Sequence, residues 1–197
     1  IRVLEELGAL DGERTLTNLG RQLSRFPLDP RLARMIIAGA HNGCLDEVLI
    51  IVSALSVQDP RERPPEKQTQ ADQKHALFRE PDSDFLFFVK LWRSVEDVRG
   101  DLSENQRRQW AKTHFLSYLR LREWRETHHQ LLIVCKELSL GRNTEPASYE
   151  VLHRALLTGL LAQIAQKTDE REYLAARNQK ARMFPGSILH KKSPPWV

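Results

Sequence analysis

Cysteine is nearly absent: Cys44 and Cys135 are the only two in 197 residues. Their separation fits neither a CxxC pair nor zinc-finger spacing. Both fall in apolar helical patterns, which suits reduced core thiols in a cytosolic protein, although spacing alone leaves a single disulfide open. No apolar run approaches the roughly 20 residues needed to span a bilayer, so the sequence argues against a helical membrane protein. No signal peptide is visible either, because Ile1 opens directly into a charged amphipathic segment. There is no GxxxxGK[ST] phosphate loop, no Rossmann glycine pattern and no HExxH, so nothing here could wrap consecutive backbone amides around a phosphate. The seven histidines form no metal set. His41-x-x-Cys44 lacks a partner pair, and the adjacent His128 and His129 would point to different helix faces. Internal repeats and low-complexity tracts are missing as well.

What is present is an ordinary folded composition, 41% hydrophobic and 28% charged, with a net charge of +4. The distribution of charge says more than its sum. From Tyr173 to Val197 there are five cations (Arg177, Lys180, Arg182, Lys191, Lys192) and no acid. From Arg107 to Arg125 there are six (Arg107, Arg108, Lys112, Arg120, Arg122, Arg125) against Glu123 alone. Clustered positive charge is the electrostatic footprint of a polyanion partner, and it is equally the signature of a solvated helix face with a basic tail. Both clusters have aromatic neighbours: Trp124 in the first, Phe184 and Trp196 in the second. Lysine and arginine would neutralise phosphates and exposed aromatics would stack on bases. Trp124 is expected in the core, and Phe184 suits either environment.

Local signals predict a mostly helical chain. A short helix over Ile1–Leu7 would be capped by Gly8, and an Asp11-Gly12 turn within Ala9–Leu16 reads as a small β-hairpin. Thr17 caps a helix that Pro27 ends, and Asp29-Pro30 begins the next, which runs to Asn42-Gly43. A further apolar helix spans Leu45–Leu55. The proline-rich Asp59–Lys67 stretch should be an extended, exposed linker, and Ala71–Phe78 a short helix. Asp82-Ser83-Asp84 caps a strongly apolar helix through Val95. Ser103-x-x-Gln106 has capping-box spacing and starts a long helix, or helix pair, through Leu138. Gly141–Pro146 is a loop, and Ser148 caps a last helix expected to reach Gln166. Beyond it, Tyr173–Ala176, Ala181–Phe184 and Ser187–His190 read as short strands, with Pro185-Gly186 as a turn. The chain starts without methionine, and Pro194-Pro195-Trp196-Val197 reads like a strand just beginning. Those ends fit a piece of a longer protein, with a processed mature protein as the alternative.

The residues resemble a known family. Leu7-Gly8-Ala9-Leu10-Asp11, Leu16-Thr17-x-Leu19-Gly20 and Pro27-Leu28-Asp29-Pro30-Arg31-Leu32-Ala33-Arg34-Met35 are similar to the winged-helix domain of DEAH-box RNA helicases. Val52–Val57, Arg63-Pro64, Ala71-Asp72, Asp84 and Phe115-Leu116-x-Tyr118-Leu119 resemble the helical ratchet domain that follows it. Phe184-Pro185-Gly186-Ser187-x-Leu189 and Pro195-Trp196-Val197 resemble the opening of the family's OB-fold. Many eukaryotic members have His-Pro-Ser-Ser where this chain has Phe184-Pro185-Gly186-Ser187, which points to the bacterial HrpA-type branch.

The resemblance implies a mainly α chain: a winged helix over residues 1–57, a ratchet-like helical bundle over 58–168 and the first strands of a truncated OB-fold over 169–197. It further implies a cytoplasmic RNA helicase whose upstream RecA-like domains would bind ATP and magnesium. This chain would hold no cofactor and would be inactive alone. Its implied partners are single-stranded RNA, with DNA as a second option, and those upstream domains. Lys180, Arg182, His190 and Lys191 are the expected strand contacts on the OB side, and Arg120 and Arg122 those on the ratchet side. Arg63 is either a further strand contact or, the preferred reading, a residue that pairs with an acid and holds the linker.

Two rival readings remain. One is a stand-alone winged-helix DNA-binding regulator with a helical dimerisation region. It needs a basic recognition helix, whereas the helix at Asp29 offers only Arg31 and Arg34, with Met35, Ile36 and Ile37 expected inside. The other is a protein-interaction scaffold with basic faces.

Overall fold

Local capping accounts for most helix starts. The computed structural model describes residues 1–169 and 172–197. A first helix, α1 (Arg2–Glu6), is followed by Gly8 in the left-handed conformation (φ +73°). The expected hairpin is reduced to one antiparallel bridge, Leu10 with Leu16, because Asp11 Oδ1 draws the Glu13 and Thr15 amides into a tight turn. Thr17 caps α2 (Asn18–Leu23) by accepting from the Gly20 amide. Asp29 caps α3 (Pro30–His41) by accepting from the Arg31 amide, with Pro30 in the first turn. Next comes α4 (Leu45–Leu55), then a 3-10 turn at Pro65–Lys67 leading into α5 (Gln68–Ala76), which starts three residues earlier than Ala71. Ser83 caps α6 (Asp84–Asp101). The Ser103/Gln106 capping box opens α7 (Glu104–Thr113). Helix α8 (Tyr118–Glu137) follows, and Ser148 caps α9 (Tyr149–Leu160).

After α9 the structure departs from the sequence pattern. The last helix does not reach Gln166, because Ala165–Lys167 leaves to form strand β1. It pairs antiparallel with β2 (Tyr173–Ala175), and β2 with β3 (Gln179–Ala181), in the order β1-β2-β3. The third strand thus lies before the expected Ala181–Phe184. The other edge of β1 takes the chain end: Ala165 and Val197 exchange both backbone hydrogen bonds (2.7 and 2.9 Å), so the terminal segment pairs as a strand would. The expected strand at Ser187–His190 is instead a run of turns. Its amides are spent locally and on a distant carboxylate: His190 N–H donates to Ser187 O, and Ile188 N–H to Asp84.

The chain forms two compact units that interleave in sequence, residues 1–56 with 124–161 and residues 57–123 with 162–197. In the first, α3 packs on both α4 and α9. Met35, Ile36, Ile37, Leu45, Leu49, Ile51, Leu152 and Leu156 are almost completely shielded from solvent. The α3–α9 contact depends on Gly159, where a Cβ would stand 2.4 Å from the Arg31 carbonyl and 2.8 Å from the Met35 side chain. Trp124 fills the same core at 1% exposure, and its indole N–H reaches Ile50 O (3.1 Å) and Ser53 Oγ (2.9 Å). That satisfies its one polar group, as a buried tryptophan requires.

The second unit is built on aromatic packing. Phe78 meets Phe87 edge to face with centroids 6.1 Å apart, and it also contacts Trp110 and His114. Of the Asp59–Lys67 stretch expected to be extended, Asp59–Pro64 is extended and largely exposed while Pro65–Lys67 winds into the 3-10 turn that leads into α5, and the extended part is pinned in place. Ser117 N–H donates to Pro60 O and Glu62 N–H to Phe115 O, each at 2.8 Å. No helix among the described residues is long and apolar enough to cross a membrane.

Candidate nucleic-acid interface

The second unit contains a cleft of about 740 Å³. One wall comes from the pinned segment and α5: Asp59, Arg61, Arg63, Asp72 and His75, with Arg79 just beyond the helix. The other is the turn segment Phe184–Ile188 with Lys191. Four cations therefore face two carboxylates, and the pairing within the cleft divides those cations into two kinds.

Arg61 and Arg63 are committed to neighbours. Arg61 makes a bidentate pair with Asp59 (Nη2 to Oδ2 at 2.5 Å, Nε to Oδ1 at 3.0 Å), and its guanidinium lies over the Phe87 ring at 4.7 Å. Arg63 makes a bidentate pair with Asp72 (2.8 and 2.7 Å), as expected of it. This hydrogen bonding holds the Asp72 carboxyl below its usual range. Burial alone would raise the Asp59 carboxyl, but its hydrogen bonds from Arg61 outweigh that and lower it. Both acids stay ionised and act as orienting partners. His75 is buried, which pushes its pKa down, and its Nε2 lies 3.0 Å from Phe115 O. By contrast, Arg79 and Lys191 have no ion-pair partner among the described residues, so their charge is available to an incoming anion.

The turn segment that carries Phe184 and Lys191 is fixed by the start of α6. The Asp84 carboxylate accepts from Ser187 Oγ (2.6 Å) and from Ile188 N–H (3.0 Å). Lys192 Nζ donates to Pro81 O at 2.7 Å and pairs with Asp82. More than 100 residues separate these partners in sequence, so no local pattern could reveal the latch.

The residues singled out from sequence have different fates. Lys191 lines the cleft. Lys180 and Arg182 sit together on the sheet and share Glu172, at 3.7 and 2.8 Å. Arg182 and Lys180 hold that carboxyl below its usual range, and two cations on one acid leave a net positive spot. His190 is exposed on the turn segment and does not line the cleft. Arg120 is half-buried and donates to the Asp59 carbonyl (3.1 Å), which ties α8 to the pinned segment. Arg122 is exposed on α8, away from the cleft lining. Sequence reasoning missed Arg61 and Arg79. The only local hint was the charge alternation Arg61-Glu62-Arg63, which reads equally as a solvated linker.

The described residues include no group of three or more His, Cys, Asp or Glu that could hold a metal ion. The sequence also contains no GxxxxGK[ST] phosphate loop. Both cysteines are free and buried, and burial raises their thiols to about 11 (Cys44) and about 12 (Cys135), which makes them inert core residues.

Comparison with known proteins agrees with the fold. The winged-helix part of the helicase-associated domain (HA2) matches residues 1–28, and its ratchet-like part matches residues 29–117. Over its whole length the chain is 50% identical to the ATP-dependent RNA helicase HrpA of Escherichia coli. It is 49% identical to the HrpA homolog of Haemophilus influenzae. It spans 16% of the length of each of these relatives. The chain therefore belongs to the helicase-associated (HA2) family, with winged-helix and ratchet-like parts in that order, of the type found in HrpA helicases.

Proposed function

We propose that this chain is the strand-gripping module of a cytoplasmic ATP-dependent RNA helicase. RecA-like domains elsewhere in the protein would bind ATP and magnesium and supply the stepping. The observation that carries this reading is the cleft in which Arg79 and Lys191 face solvent with no ion pair among the described residues while Arg61 and Arg63 are held rigid by their acids. Such a site binds phosphates without reading sequence, because every nucleotide offers the same anion. Lys180 and Arg182 extend the positive surface along the sheet, which we read as the opening of an OB-fold. Single-stranded RNA is the ligand of choice, with single-stranded DNA a weaker second.

The experiment is binding of single-stranded RNA to the full-length protein across a salt series. Log affinity should fall linearly with log salt, with a slope of about −0.7 per phosphate contact. Arg79→Glu with Lys191→Glu should weaken binding and flatten the slope by about 1.4. An unchanged slope in the double variant would overturn the assignment of these two side chains.

The duplex-DNA regulator reading finds no support in α3. The helix that would enter a major groove is buried between α4 and α9, with Met35, Ile36 and Ile37 each at 0% exposure.

A further inference from the structure

We infer that Phe184 is a base-stacking residue, held at the mouth of the cleft so that a strand bound by its phosphates lays a base on the ring. This rests on the strand-gripping reading above and adds a contact to the base, where that reading has contacts only to phosphate.

Phe184 is 75% exposed, more than any other large hydrophobic residue in the described chain. Single exposed aromatics are common, so exposure alone says little. Three further features distinguish this one. The ring lines the same cleft as Arg79 and Lys191, which puts an apolar face beside the two unpaired cations. Its backbone is fixed: Phe184 O accepts from Ser187 N–H (2.9 Å), and Ser187 is in turn fixed by Asp84. The ring also folds over the turn so closely that a Cβ on Gly186 would stand 2.5 Å from its Cε1 atom. Glycine at 186 therefore lets the ring occupy its place, and proline at 185 stiffens the turn beneath it. Trp196, the other strongly exposed aromatic, also has a paired backbone and differs in where it stands. It lies on the paired terminal segment and does not line the cleft.

A planar ring beside phosphate-binding cations is the arrangement that accepts any base, since every base has a π-face. Purines should gain most, because their stacking area is larger. Asp84 acts here as a positioning residue, through Ser187 and Ile188.

The test uses the full-length protein with two single-stranded RNAs of equal length, one bearing normal bases and one with abasic sites in the bound stretch. Phe184→Ala should weaken binding of the normal strand about 5- to 100-fold, leave the abasic strand unchanged, and leave the salt slope of both unchanged. Phe184→Trp should retain the preference for the normal strand. Gly186→Ala, which pushes the ring out of place, should lose part of it. A 2-aminopurine in the bound stretch should be quenched by the wild-type protein and not by Phe184→Ala. If Phe184→Ala weakens both strands equally, or neither, the stacking role is wrong while phosphate gripping stands. If the wild-type protein shows no salt-dependent binding of either strand, the gripping reading itself fails.

Discussion

The two units use polar groups in opposite ways. In the first, nearly every polar side chain near the core is consumed internally. The Trp124 indole is spent on Ile50 O and Ser53. The loop after α8 returns to the start of α4, where Asn143 and the Ala147 amide satisfy the buried Glu47, and Arg142 makes a bidentate pair with Asp46. Acids in the first turn of α4 also suit the positive end of that helix. In the second unit, ion pairs line an open cleft and leave cations over, and an aromatic ring stays outside. A unit that satisfies its own groups suits a scaffold, and the surplus of one sign at the cleft is what the proposed strand grip would use. The contrast also explains why charge totals say so little about this chain. Its +4 is small, yet two cations without an ion pair among the described residues, Arg79 and Lys191, line one cleft.

The comparison is tested most severely at Trp124. Replacing it by alanine should destabilise the first unit by about 3–5 kcal/mol, since it removes a buried aromatic and leaves a cavity. Denaturant unfolding would measure this. If the loss were under about 1 kcal/mol, the first unit would not be the tightly packed scaffold described here.

A smaller effect should come from His128, which is half-buried in the first unit. Burial, with Arg142 nearby, lowers its pKa from the ordinary 6.5 to about 4. The unfolded chain therefore binds the extra proton first. Between about pH 4 and 6.5 the stability of this unit should rise with pH, and it should be lost as the solution is acidified through that window. Unfolding free energies measured across that range for the wild type and for His128→Asn would check it. A slope that survives the substitution would point to another group.

The smallest effect on global stability, and the most local, is expected at Asp84. Asp84→Ala removes the acceptor for Ser187 and Ile188. Amide exchange at Ile188 should become fast, while amides inside α6 keep their protection and the melting temperature moves little. If Ile188 stayed protected, the turn segment would be fixed by something other than the latch, and the positioning of Phe184 would need a different account.

Much of the fold was legible because capping is local chemistry. Thr17, Asp29, Ser103 with Gln106, and Ser148 each accept from an amide two or three residues on, and each was visible from spacing alone. The burial of Trp124 and of Met35 to Ile37 followed from apolar periodicity. The two failures after α9 share one cause, a partner distant in sequence. Ile164–Gln166 looked like the end of a helix, but β2 and the Pro195–Val197 segment drew Ala165–Lys167 into a sheet. Ser187–His190 looked like a strand until Asp84 took its amide and hydroxyl. Of the six residues named as strand contacts, Lys191 lines the cleft and the other five lie outside its lining; nothing adjacent to Arg79 in sequence marks it as unpaired.

The sequence by itself determined where helices begin, which faces are apolar, that both cysteines are core residues, and that no phosphate loop exists in this stretch. Each of these is a property of spacing or residue type over a few positions. Only the tertiary structure decided that Arg79 and Lys191 remain available in one cleft, and that Phe184 lines it with them. Ion pairing and exposure depend on distances between segments that the chain separates by up to a hundred residues or more. No local pattern encodes those distances.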